Sequence, residues 1–166
     1  MTLELNPTAN KPLSMSSANS DKPSWPTHQD SGDGASEDHF IERDGVEFAG
    51  THIIIDLWGA KELDNLALME QTLREAVIVA DATLLHIHLH HFTPNGGITG
   101  VAVLAESHIS VHTWPERNYA AFDVFMCGNA KPEKCIPIIR TAFSPSTINI
   151  SKHLRGAEIE PQTANT

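Results

Sequence analysis

The 166-residue chain carries net charge -10 at pH 7, which argues against nucleic acid or an anionic membrane surface as its main partner. Its two cysteines, Cys127 and Cys135, are too few for a disulfide framework and read as reduced thiols of a cytosolic protein. No apolar run is long enough to span a bilayer, and no secretory signal is visible.

The chain opens with a segment, residues 1–45, rich in Ser, Asp, Asn and Pro and almost free of aliphatics. Such a composition cannot bury enough apolar surface to offset ordering, so a disordered leader is expected. Eight acidic against three basic side chains give it a net -5, half of the charge of the whole chain. A folded domain over 46–156 is therefore only mildly acidic, and a flexible polar tail, 157–166, follows.

Within the domain the apolar periodicity alternates between two kinds. "THIIIDLW" predicts a strand closed by Gly59. The next stretch places Leu66, Met69, Leu73, Val77 and Ala80 at three- and four-residue spacing, which predicts a helix starting near Asp64. "TLLHIHLHHF" alternates Leu85, Ile87 and Leu89 with His86, His88 and His90, a strand with one apolar face. "TPNGG" is a turn, and "ITGVAVLAE", "SHISVHTW" and "YAAFDVFMC" predict three further strands. "PEKCIPIIRTAF" predicts a short helix with Pro132 in its first turn, against the internal Pro137. "STINISKHL" predicts the last strand. The order β-α-β-β-β-β-α-β, with short turns in the middle, implies an α+β two-layer sandwich. Its sheet is mainly antiparallel, with two helices on one face and the other face open to a partner; a homodimer is expected.

Three sets of residues are candidates for chemistry. His86, His88 and His90 share one strand face, a spacing that can ligate zinc but equally suits a polar face. No further ligand is identifiable, so no metal site is assigned. Ser107 lies between Glu106 and His108 without a glycine elbow. His112 is five residues on, so a regular strand points it to the opposite face; a serine at the very start of a strand would escape that constraint. Cys127 closes a strand beside Gly128, where it could face a cleft, whereas Cys135 reads as packing.

Taken together, "ESHISVHTWPERNYAAFDVFMCG", supported by "GTHIIIDLWG", "LDN" and "HHFTPNGGITG", resembles the prokaryotic S-adenosylmethionine decarboxylase proenzymes over about Gly50 to Gly156. The resemblance implies self-cleavage between Glu106 and Ser107 into two chains. Ser107 then becomes a covalent pyruvoyl group, the cofactor that binds the substrate amine as a Schiff base. It implies His112 as the histidine of processing and proton transfer, Cys127 as proton donor, and Thr99 as an aid to processing. Phe92 and Glu116 match positions linked to binding of the substrate, S-adenosylmethionine. The "PNGG" turn is one residue longer than the common form, and the leader has no counterpart in short family members.

The chemistry is consistent with that expectation. Decarboxylation of an α-amino acid leaves a carbanion that needs an electron sink, commonly pyridoxal phosphate on a lysine. Lys61, Lys131, Lys134 and Lys152 are the domain's candidates, and none has a recognisable cofactor setting. A ketone made from Ser107 would replace that cofactor. Two other readings stand beside this one: a pyruvoyl-dependent ornithine or arginine decarboxylase, and a non-catalytic regulatory or metal-binding module built on the three histidines.

Overall fold

The computed structural model describes residues 40–157. Most of the expected leader, and the tail beyond Ala157, lie outside the described residues. The end of the leader segment belongs to a hairpin: β1 (Ile41–Arg43) pairs antiparallel with β2 (Val46–Phe48). Asp44 and Gly45 join them at φ 56° and 78°, the left-handed pair that an Asp-Gly hairpin turn requires. The hairpin therefore straddles the boundary at residue 45 that composition suggested. Phe48 is buried.

The principal sheet takes in β3 (Gly50–Trp58), β4 (Leu84–His91), β5 (Ile98–Leu104), β6 (Ser107–Trp114), β7 (Tyr119–Cys127) and β8 (Thr147–Arg155). Their order is β4-β5-β6-β7-β3-β8, and every neighbouring pair is antiparallel. Strands β4 to β7 form a meander, as their short turns dictate. Strand β3 closes the sheet between β7 and β8, a pairing between distant segments.

Helices α1 (Leu66–Val79) and α2 (Cys135–Phe143) supply the apolar layer. Met69, Leu73, Ala76 and Val77 of α1 and Ile139 and Phe143 of α2 join one buried cluster with Ile53, Ile55, Val111, Phe122 and Val124 of the sheet. Each large side chain fully removed from water there contributes about 1.5–3 kcal/mol. Asn65 caps α1, its side-chain oxygen accepting the Leu68 amide at 3.1 Å, so the helix begins two residues after Asp64. Leu66, expected in the core stripe, is 40% exposed in the first turn.

Two local departures have simple causes. A register shift between Leu84 and His86 interrupts the alternation of β4. Leu84 is half-buried with Ile87 and Leu89, and Leu85 is exposed, as a bulge requires. A 3-10 turn, Pro132–Lys134, precedes α2, so Pro137 falls in the first turn of the α-helix, where the missing N–H would have had no intrahelical acceptor.

The opposite sheet face carries no helix among the described residues. Alternation places His52, Ile54, Asp56 and Trp58 of β3 there, with His112 and Trp114 of β6 and Tyr119, Asp123 and Phe125 of β7. Trp58, Tyr119 and Trp114 stack in a row, with centroids 4.4 and 5.2 Å apart.

Candidate active site

Candidate residues gather at two opposite ends of the β5–β6 hairpin. At one end, Leu104 pairs with Ser107, leaving only Ala105 and Glu106 to reverse the chain. Ser107 is the first residue of β6, the strand-start position that its setting required. The turn is held by the Ala105 amide donating to the Thr83 carbonyl at 2.9 Å. Glu106 takes φ 60°, a left-handed conformation that costs an L-residue with a long side chain about 1–2 kcal/mol.

Cys127 ends β7 beside this turn, and its amide donates to the Ser107 hydroxyl oxygen at 3.1 Å. The two residues share a cavity of about 230 Å³ with Asp81, Thr83, Glu106 and Asn129. An ion pair between Lys131 and Asp81, 3.2 Å long, joins two of the loops at this end. Burial, and secondarily the Glu106 charge, push the Cys127 thiol above its ordinary range. The thiol therefore keeps its proton at neutral pH, the state a proton donor needs.

At the other end, Thr99 of β5 stands opposite His112 of β6, and the Thr99 hydroxyl is hydrogen-bonded to His112 Nδ1. A second cavity, about 290 Å³, is lined by Phe92, Gly97, Thr99, His112, Trp114 and Glu116. All four residues expected beside Ser107 and Cys127 from the remaining assignments, Phe92, Thr99, His112 and Glu116, thus come together here. Phe92 is 49% exposed and meets His90 edge-on, with centroids 4.6 Å apart. Gly97 is required: a Cβ there would lie 2.8 Å from the Thr113 carbonyl oxygen. Thr113, next to His112, is buried; its hydroxyl accepts the Ile98 amide at 2.7 Å and donates to the Leu63 carbonyl at 2.9 Å.

The two ends do not meet within one chain. Ser107 and His112 are five residues apart along one strand, which spans roughly 17 Å at the usual rise. Ile109, Val111 and Thr113 point into the core and His112 outward, so the parity argument also holds. The structure unites Ser107, Glu106 and Cys127, and separately Thr99, His112, Phe92 and Glu116.

The remaining candidates behave differently. His86, His88 and His90 are exposed on edge strand β4. Among the described residues, no three His, Cys, Asp or Glu side chains assemble as a metal site. Lys152 pairs with Glu133 at 2.5 Å, and Cys135 is buried, its thiol pushed up to about 12 chiefly by burial. No helix among the described residues is long and apolar enough to cross a membrane.

A polar network on the open face escaped the sequence reading. Ser110 donates to Asp123 Oδ2 at 3.1 Å, His52 Nε2 lies 3.4 Å from Asp123 Oδ1, and Arg155 donates to His52 Nδ1 at 3.2 Å. Tyr119 donates to Asp56 Oδ1 at 2.6 Å, and this bond is the first cause that pushes the phenol up to about 12. The only signal in the sequence was the polar residues at alternate positions of otherwise apolar strands.

Comparison with known proteins places these features in context. The profile of the S-adenosylmethionine decarboxylase family matches residues 51–156. The S-adenosylmethionine decarboxylase proenzyme of Thermomicrobium roseum is 41% identical over 112 residues, 67% of this chain and 97% of the relative. That of Methanococcus aeolicus is 48% identical over 118 residues, 69% of this chain and 100% of the relative. The crystal structure of the adenosylmethionine decarboxylase from Aquifex aeolicus VF5 superposes with a TM-score of 0.59 at 35% identity. The match covers 70% of this chain and 97% of the other.

Proposed function

The chain belongs to the S-adenosylmethionine decarboxylase family, and on that premise we propose that it is a self-processing enzyme. It converts S-adenosylmethionine to its decarboxylated form and carbon dioxide, the step that feeds spermidine synthesis. The observation that carries this reading is local: Ser107 opens a strand immediately after a left-handed Glu106 and shares a cavity with Cys127.

Processing needs only groups of the chain itself. The Ser107 hydroxyl attacks the Glu106 carbonyl, converting the peptide bond into an ester. β-Elimination then releases the Glu106 carboxylate and leaves dehydroalanine at 107, which tautomerises and hydrolyses with loss of ammonia. The residues present fit the pyruvoyl group that results, since it would stand at the new chain end beside Cys127. Such a ketone supplies the electron sink for the carbanion formed as carbon dioxide leaves. Cys127, kept protonated, is suited to deliver a proton to that carbon.

The distance between Ser107 and His112 supports a role for the expected homodimer. A two-fold pairing through the open sheet face would let one protomer present Thr99, His112, Phe92 and Glu116 to Ser107 of the other, and the reverse. Glu116 would then oppose the sulfonium charge, and Phe92 would offer its ring to adenine. The His112 imidazole, oriented by Thr99, would move protons in processing. No observation favours ornithine or arginine as substrate, and a metal-binding module lacks a ligand cluster among the described residues.

The test is direct. Freshly purified protein should separate into residues 1–106 and 107–166, with the second chain lacking a free amino end and releasing carbon dioxide from S-adenosylmethionine. Ser107→Ala should remain one inactive chain. Release of carbon dioxide from ornithine or arginine instead would reassign the substrate.

A further inference from the structure

Among the described residues, six non-glycine positions have a left-handed backbone. Asp44, Asp81 and Asn118 are of the short polar types that tolerate it, and Ser144 follows α2 as its cap. Glu62 lies in the turn before α1, where its carbonyl and its carboxylate both accept from Asn65 at 3.2 Å. Glu106, at φ 60°, is the case in which a long side chain is forced left-handed at the centre of the proposed chemistry.

The conformation at Glu106 is imposed from three sides. Leu104 and Ser107 are already paired, so the reversal has only two residues in which to occur. The Ala105 amide is tied to the Thr83 carbonyl at 2.9 Å, which anchors the turn to the segment after α1. The Ser107 hydroxyl is anchored to the Cys127 amide at 3.1 Å, which holds the nucleophile. The chain therefore cannot relax this turn without breaking contacts to two other elements.

We propose that the left-handed backbone of Glu106 is strain built into the precursor that drives the Glu106–Ser107 junction towards acyl transfer. Glu106 is then a positioning residue acting through its main chain. This inference rests on the self-processing reading above. In the driven step, a bond forms from Ser107 Oγ to the Glu106 carbonyl carbon. The bond from that carbon to the Ser107 nitrogen breaks, and the hydroxyl proton ends on the released amine. The ester link between the two residues is one atom longer than the amide it replaces, so the turn opens and the left-handed constraint is lifted.

The experiment compares processing rates of full-length precursors carrying Glu106→Gly, Glu106→Asn and Glu106→Ala. Glycine adopts this conformation freely, asparagine tolerates it, and alanine suffers it as glutamate does. Glu106→Gly should process roughly five- to thirty-fold more slowly, the full left-handed cost expressed as a rate. Glu106→Asn should fall between, and Glu106→Ala should stay within about twofold of wild type. In the uncleavable Ser107→Ala background, Glu106→Gly should raise the urea midpoint and Glu106→Ala should not. Equal rates for glycine and wild type, or equal slowing by glycine and alanine, would overturn the inference while leaving self-processing intact. A wild type that never cleaves would instead remove the reading on which it rests.

Discussion

The amide of Cys127 donates to the hydroxyl oxygen of Ser107 across 3.1 Å, joining the end of β7 to the start of β6. One residue thereby holds the proposed nucleophile with its main chain and places a thiol, pushed up by burial, in the same cavity. Cys127→Ala keeps the amide and removes only the thiol proposed as proton donor. It should still cleave, while decarboxylation falls by about 100-fold or more, the usual range for a lost general acid. Parallel gel and carbon dioxide assays of the same preparation would separate the two effects.

Thr113 offers a test of the other end. Its buried hydroxyl bridges the Ile98 amide and the Leu63 carbonyl. Thr113→Val leaves both backbone groups buried without their partner and should cost about 2–4 kcal/mol in urea unfolding, whereas Thr113→Ser should cost less than half of that.

Alkaline stability has a defined sign. The folded-state values of Cys135 and Tyr119 are both raised, to about 12. Their contribution is fully present below the ordinary values of 9.0 and 10.0 and is lost as pH rises towards 12. The urea midpoint should therefore fall between pH 9 and 12. Cys135→Val should flatten the part of that fall that begins at the lower value, and Tyr119→Phe the part that begins at the higher.

A shared site predicts complementation. In the proposed dimer, Ser107→Ala and His112→Ala chains should each be inactive as homodimers, whereas a mixed dimer would contain one site with both wild-type residues. Co-expression at equal levels should restore about a quarter of wild-type activity, since half of random dimers are mixed and each has one intact site of two. Activity that stays at background would place Ser107 and His112 in one chain's site despite their separation along β6.

Much of this was legible in the sequence, and the exceptions follow a pattern. Local signals read well: the periodicity of α1, the turns of the meander and the strand start at Ser107. Pro137 looked unfavourable only because the preceding 3-10 turn, which moves it into a helix start, leaves no separate signature. The Asp44–Gly45 turn was hidden by the polar composition around it. The bulge at Leu84–His86 could not be read from alternation, because a single extra residue preserves composition while changing faces. The insertion of β3 between β7 and β8, and the Asp123–His52–Arg155 network that depends on it, join segments far apart in the chain. No window of residues encodes such pairings. Resemblance named Ser107, Cys127, His112 and Thr99, but only the register of β5 with β6 divides them between two ends.

The proposed enzyme cuts itself before Ser107 and uses that residue, no longer a serine, as the reactive group. Intact-mass measurement of the purified wild-type protein decides whether it does. Two masses should appear, matching 1–106 and 107–166, the latter lower by the loss of ammonia that accompanies conversion to the ketone. A single uncut mass in a preparation that releases carbon dioxide from S-adenosylmethionine would contradict it.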